Sequence, residues 1–420
     1  MPSSPRPTRH ARRLIDRRWL RALATALVAV LAFSGTAVAA MYYTLTHNIS
    51  SNYALEDFRP TPEVEEAVAT EGENPTDPMA GQDWNILLIG SDSRDGENGD
   101  VSGDGDLFEG ARADTTILLH LPADRSRAEA VSIPRDLLTA VPSCVTDSDG
   151  STSWAQDSAM FNSAFATGGI NGDVGLGAIC TALTVEEMSG LTIDDYAVVD
   201  FAGFERMVDT IGGVPMCFPE ALHDDLAGLD IAAGEQTLDG VQALALARAR
   251  KSLGDGSDIQ RIDRQQELLA AMVRQVLSLN LVTDSYALIQ FLDAVTSSLT
   301  TSQGLGNPIS LAGLALELAP IGAEGVAFVT LPFDPAGARV VANAQSEELW
   351  ERLRNDEPLN SASAQPEETT SSDSTPSSSP SAAPQEDTSE DSEPSEDGES
   401  TPDEVSDPWE VLSGDEGATC

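Results

Sequence analysis

Short apolar runs alternate with longer amphipathic stretches through the middle of this chain, and that alternation restricts its fold more than any other feature. WNILLIG (84–90), TTILLHL (115–121), AEAVSIP (128–134), YAVVDF (196–201), GVPMCF (213–218) and AFVTLPF (327–333) have the pattern of buried strands. Helical periodicity fits TALTVEEMSGL (181–191), AGFERMVDTIG (202–212) and residues 238–247, 258–279, 284–298 and 309–319. Interleaved strands and helices predict an α/β fold, a three-layer α-β-α domain around a central mixed sheet. The interval 140–175, rich in Ser, Asp and Gly, is expected to be a long surface excursion.

The two ends differ from this middle. Residues 1–18 are basic, and 19–45 include a run from Ala22 to Leu45 without a charge. Such a run can cross a hydrocarbon core of ~30 Å as a helix. Seven arginines precede or open it (Arg6, Arg9, Arg12, Arg13, Arg17, Arg18 and Arg21), so the N-terminus is expected to be cytoplasmic and the remainder exported. A signal peptide cleaved near Ala-Val-Ala-Ala is the alternative. The expected layout is a basic cytoplasmic segment (1–18), a transmembrane anchor (19–45), a stalk (46–82), a catalytic domain (83–354) and an acidic tail (355–420). Ser, Pro, Glu and Asp dominate the tail, which predicts disorder.

The chain carries 69 acids against 23 bases, a net charge of -46, which argues against a nucleic-acid binder, since that needs a dense basic surface. The scarce positive charge is almost all arginine and is clustered, which suggests an anionic ligand. No C-x-x-C or Cys/His spacing is present, which argues against a zinc site. Cys144 and Cys180 flank one loop-rich insertion and are the expected disulfide in an exported domain, with buried free thiols as the alternative. Whether Cys217 and Cys420 pair is left open.

Five constellations could carry chemistry. GSDSR (90–94) follows a strand directly, at the kind of strand end where open α/β sheets bind ligands, and offers Asp92 and Arg94. RADTT (112–116) brings Arg112 and Asp114 into the next strand, where Asp114 could approach Asp92. Two such carboxylates would need a proton or a cation between them, and Mg²⁺ suits carboxylates together with phosphate oxygens. SIPRD (132–136) presents Arg135. In LALARARK (244–251), Arg248 and Arg250 share a face only if the chain is extended there, so the helix is expected to end before Arg248. In SDIQRIDRQQ (257–266), Arg261, Arg264 and Gln265 form one stripe in the first turns of a helix, where the dipole attracts anions. Each of these could instead be an ordinary turn or surface ion pair. P-loop, GxGxxG and GxSxG patterns are absent.

The order NILLIGSDSR, RADTTILL, SIPRDL, FNSAFATGG, TVEEMSGLTIDDY, VVDFAGFERMVDTIGGV, LDGVQALALARAR, SDIQRIDRQQ resembles that of LytR-CpsA-Psr proteins, over about residues 83–354. The later LPFDPAGARVVA and ELWERLRND look like actinobacterial members. The resemblance implies a phosphotransferase that moves a glycopolymer from a polyprenyl-pyrophosphate carrier onto peptidoglycan, leaving a phosphodiester. It implies Mg²⁺ on Asp92 and Asp114, and phosphate contacts from Arg112, Arg135, Arg248, Arg250, Arg261 and Gln265. Asp92, Arg94, Arg135 and Arg250 are the expected catalytic group. Hydrolysis of the pyrophosphate without transfer, or non-enzymatic sensing of the lipid, are the rival functions.

Overall fold

The computed structural model describes residues 17–48, 50–51, 53–59, 79–91, 112–249, 258–279, 285–360 and 409–414. Asp92, Arg94, Arg250, Cys420 and most of the acidic tail lie outside those residues. The strands run in chain order as β1 (Ser50–Ser51), β2 (Trp84–Ser91), β3 (Ala113–Leu121), β4 (Ala128–Ser132), β5 (Leu137–Val141), β6 (Gln156–Met160), β7 (Asp195–Asp200) and β8 (Val214–Phe218). After them come β9 (Leu222–Asp224), β10 (Leu229–Ile231), β11 (Gly234–Leu238), β12 (Leu299–Thr301), β13 (Val326–Thr330), β14 (Phe333–Ala336), β15 (Arg339–Ala342) and β16 (Val411–Ser413). The helices are α1 (Arg17–Asn48), α2 (Ser163–Gly168), α3 (Val174–Ser189), α4 (Phe201–Thr210), α5 (Gly240–Arg248), α6 (Asp258–Ser278), α7 (Ser285–Ser298), α8 (Pro308–Ile321) and α9 (Ala344–Arg354).

The main sheet has the order β1-β12-β7-β2-β3-β4-β13-β16. β2 runs parallel to β7 and antiparallel to β3, and β4 runs antiparallel to β3 and parallel to β13, so the sheet is mixed. Both faces of β2 are covered, which is why its sequence is a continuous apolar run rather than an alternation. Leu87 and Ile89 pack on one face with Phe165 of α2, Ile179 and Val185 of α3, and Trp350 of α9. Trp84 and Ile86 pack on the other with Ala270 of α6 and with Leu311 and Leu314 of α8. The domain is therefore a mixed α/β fold whose central sheet is flanked by helices.

Three expectations need correction. The 140–175 interval is more than a surface excursion: β5 and β6 join β14 and β15 in a second sheet, and Phe161, Ala164 and Phe165 are fully buried. The disulfide Cys144–Cys180 ties this region to α3. Its Ser- and Gly-rich composition concealed the structure because the apolar residues are few and widely spaced. Second, the stretch between the predicted strand GVPMCF and α5, given no element from sequence, holds the hairpin β9–β10 and the strand β11, which pairs with β8. Third, the tail is not uniformly without structure: Trp409 is buried and β16 pairs antiparallel with the sheet edge at β13. Three paired residues inside an acidic segment are too short to leave a period. α1 is a single 32-residue helix with Leu23, Leu27, Val28, Leu31 and Phe33 exposed. Among the described residues no helix is long and apolar enough to cross a membrane; the side chains of several α1 residues are outside that description, so the anchor stays an expectation from sequence.

Candidate active site

Strand directions bring four strand ends to one edge of the sheet. Ser91, ending β2, lies opposite Asp200, ending β7, and opposite Ala113, which opens β3. Ser132, ending β4, lies opposite Ile117 of β3, and Arg135 follows three residues later. The pairing of β2 with β3 shifts between Gly90 and Ser91, an irregularity of the kind that re-aims a strand at a site.

A cavity of about 600 Å³ opens at this edge and runs between the sheet and the helices α4, α5, α6 and α8. Arg112, Asp114, Arg135, Arg248, Arg261 and Gln265 all line it, along with Asn162 and Asp200. Deeper in, the lining is apolar and includes Leu88, Leu119, Val199, Leu268, Met272 and Leu314. Leu88 sits mid-way along a central strand yet is 36% exposed, which only a cavity on that face can explain. A sealed void of this size would cost on the order of 10 kcal/mol, at roughly 24 cal/mol per Å³, comparable to a whole domain's stability. The space is therefore an open cavity rather than a packing defect.

One helix sets the gradient from polar to apolar. Arg261, Gln265, Leu268, Leu269 and Met272 recur at i, i+4, i+7, i+8 and i+11 of α6, so one stripe carries the cation and amide at its start and leucine and methionine beyond. Arg261 is buried, and its Nη2 donates to the Asp114 carbonyl at 3.3 Å. Gln265 Nε2 donates to the Ala247 carbonyl at 2.9 Å, which ties α6 to the end of α5. Arg264 departs from the expected three-residue stripe: its Nη2 donates to the Ala249 carbonyl at 2.8 Å, and burial lowers its pKa. α5 extends one residue further than the spacing predicts. Arg248 is its last residue, its guanidinium stacked 4.8 Å from the Phe201 ring centroid, and the chain turns extended at Ala249.

Arg135 Nη1 donates to Asp114 Oδ1 at 2.9 Å, which holds the carboxylate at the mouth. Asp200 caps α4 by accepting from the Gly203 amide at 2.6 Å. The buried Asn162 Oδ1 has no hydrogen-bond partner among the described residues. That orphan acceptor, in the lining of a cavity that also holds Asp114, fits a site that receives a hydroxyl, water or hydrated cation from outside the chain. Asn162 and Asp200 were not singled out from sequence, although Asn162 stands in FNSAF and Asp200 is next to last in the predicted strand YAVVDF. Asp92 lies outside the described residues, so its distance to Asp114 is not defined. His120, Asp83 and Asp356 gather at the opposite edge of the sheet, with ligand atoms within 4.8 Å of one another, and form a possible metal site apart from this cavity.

The profile of the LytR_cpsA_psr family matches residues 42–355. The cell wall biosynthesis protein LcpA of Corynebacterium glutamicum is 32% identical over 268 residues, covering 59% of this chain and 49% of LcpA. The polyisoprenyl-teichoic acid–peptidoglycan teichoic acid transferase TagU of Oceanobacillus iheyensis is 32% identical over 208 residues, covering 50% of this chain and 56% of TagU. The chain thus spans about half the length of these curated relatives. The crystal structure of protein gbs0355 from Streptococcus agalactiae shares the fold, with a TM-score of 0.51 and 18% identity, covering 66% of this chain and 89% of that one.

Proposed function

The chain belongs to the LytR_cpsA_psr family, and from that premise we propose that it transfers a glycopolymer from a polyprenyl-pyrophosphate carrier to peptidoglycan. The observation that carries this reading is the α6 stripe, which opens on Arg261 and Gln265 and continues as leucine and methionine along one cavity. Its shape suits a molecule with an anionic head and a long apolar tail, as a polyprenyl pyrophosphate has. The TagU likeness points to the same class of donor.

In the reaction, a peptidoglycan hydroxyl attacks the sugar-bound phosphorus of the pyrophosphate. A phosphodiester forms, the bridging P–O bond breaks, and polyprenyl phosphate leaves as the hydroxyl gives up its proton. Such transfer depends on positioning and on neutralising spread charge. Arg135, Arg248 and Arg261 supply permanent positive charge at the mouth, with Arg112 and Arg250 alongside in sequence. Gln265 and Asn162 orient polar groups of the donor. Asp114, with Asp92, would hold Mg²⁺; the Asp114 Oδ2 has no hydrogen bond among the described residues, which leaves it available to a cation. When bound, Mg²⁺ neutralises phosphate oxygens and polarises the reacting phosphorus. Arg94 and Asp92 complete the proposed catalytic group.

The setting matches the substrate. The uncharged run 22–45 within α1 would anchor the chain in the membrane that carries the lipid, with the arginine-rich end inside and the catalytic domain outside. The test supplies the full-length protein with polyprenyl-pyrophosphoryl oligosaccharide, Mg²⁺ and peptidoglycan. A sugar–phosphate link to muramic acid is expected, and Asp114→Ala should abolish it. Release of polyprenyl phosphate without a linkage would make the protein a pyrophosphatase, and retention of lipid without turnover would make it a sensor.

A further inference from the structure

We infer that Asp83, His120 and Asp356 form a second metal site, separate from the cavity, which takes a divalent ion of the Zn²⁺ class. Their ligand atoms lie within 4.8 Å of one another at the sheet edge opposite the active site. Asp83 immediately precedes β2, His120 is next to last in β3, and Asp356 follows α9.

The hydrogen bonds fix which nitrogen of His120 faces the carboxylates. Asn85, fully buried, donates from Nδ2 to Asp83 Oδ2 at 3.0 Å, so its Oδ1 must be the acceptor for His120 Nδ1 at 2.8 Å. Nδ1 therefore carries the proton. In the neutral ring Nε2 then presents a lone pair, and it points towards Asp356 Oδ1 at 3.2 Å. Nε2 is buried and makes no hydrogen bond of good geometry. A lone pair facing a carboxylate is repulsive unless a proton or a metal ion lies between them.

The charge balance points the same way. Two carboxylates face one neutral imidazole. Arg127 is committed elsewhere: its Nε lies 3.1 Å from Glu129 Oε1, and its Nη2 donates to the Asp356 main-chain carbonyl at 2.6 Å. A divalent ion would cancel the two remaining charges. The 3.2 Å between Nε2 and Oδ1 is close to the about 3.3 Å that separates two ligands ~2.0 Å from a tetrahedral ion. Nδ1–H held by Asn85 is the outer-shell bond that ligating histidines need. One imidazole with two carboxylates favours Zn²⁺ over Mg²⁺, which prefers all-oxygen shells. Such an ion would tie the chain where it enters the catalytic domain to the point where it leaves, closing the fold at its base.

The experiment uses full-length, tag-free protein stripped with EDTA and titrated with ZnCl₂ by calorimetry, followed by thermal melts. With excess Mg²⁺ present to fill the Asp114 site, one saturable Zn²⁺ site is expected, with a Tm rise of roughly 5 °C at a hundredfold excess over Kd. Asp83→Asn and Asp356→Asn, both at partly exposed positions, should weaken Zn²⁺ at least tenfold, and Asp114→Asn should leave it unchanged. Loss of Zn²⁺ only in Asp114→Asn would overturn the inference, as would uptake that Asp356→Asn does not alter. So would absence of saturable uptake of Zn²⁺ and Mn²⁺ in the wild type, with a ¹⁵N spectrum showing His120 as an imidazolium paired to Asp356.

Discussion

Arg261 and Arg135 illustrate how much a single side chain can decide here. Each is held by a partner in RADTT: Arg261 by the Asp114 carbonyl and Arg135 by its carboxylate. Replacing either by Ala should lower kcat/KM for transfer roughly 10²–10³-fold, the scale for removing one charge-stabilising donor. Arg261→Lys should recover only part of this, because a lysine lacks the planar fork; steady-state assays on the three variants test it. A second expectation concerns Asp194, whose carboxyl burial pushes up to about 7 against the bond it accepts from the Asn85 amide. The folded pKa exceeds the unfolded one, so the folded state binds an extra proton between about pH 4 and 7. The stability owed to this group is full below that window and is lost as pH rises through it. Melts in EDTA should show wild type losing Tm between pH 4 and 7, and Asp194→Asn, which cannot ionise, losing less.

Among the elements, α6 and the β5–α3 link carry the consequences. Leu88 of β2 faces α6 across the cavity, and Leu88→Trp should fill that space. Bound polyprenyl phosphate should disappear from the purified protein by mass spectrometry, while Tm holds or rises. Retained lipid at wild-type occupancy would mean that the tail lies elsewhere. The Cys144–Cys180 bridge closes a loop of 36 residues. Replacing both cysteines by Ser should cost about 2–4 kcal/mol in denaturant unfolding, with the active site otherwise intact. The helix and strand positions were largely legible, because 3.6-residue and short apolar periods survive in β2, β3, α3 and α6. The β5–β6 pair was not legible, since β5 is a largely apolar run of only five residues and its partner β6 is polar and mostly exposed, with no apolar pattern of its own.

At the scale of the whole molecule, the acidic tail returns to the domain. Trp409 Nε1 donates to the Leu359 carbonyl, Arg352 stacks over the Trp409 ring, and Arg274 Nη1 donates to the Gly414 carbonyl. β16 covers the β13 edge that would otherwise offer unpaired backbone groups to another chain. Trp409→Ala is expected to destabilise the domain by about 3 kcal/mol, and truncation after residue 360 should add concentration-dependent association visible by light scattering. An unchanged Tm in the truncated protein would show that the strand contributes nothing in solution.

The sequence by itself determined the alternating elements, the apolar faces and the arginine-rich segments, because each is encoded in neighbouring residues through period, charge and turn chemistry. It also pointed to the ligand, since clustered arginines in a chain of net charge -46 suggest an anion. Only the tertiary structure decided that Arg112, Asp114, Arg135, Arg248, Arg261 and Gln265 line one cavity, that Asn162 and Asp200 join them, and that Arg264 does not bond there but to the backbone at Ala249. It alone gathered Asp83, His120 and Asp356, which are separated by 37 and 236 residues along the chain. Such groupings depend on strand direction and register, which long-range packing sets and no local pattern records.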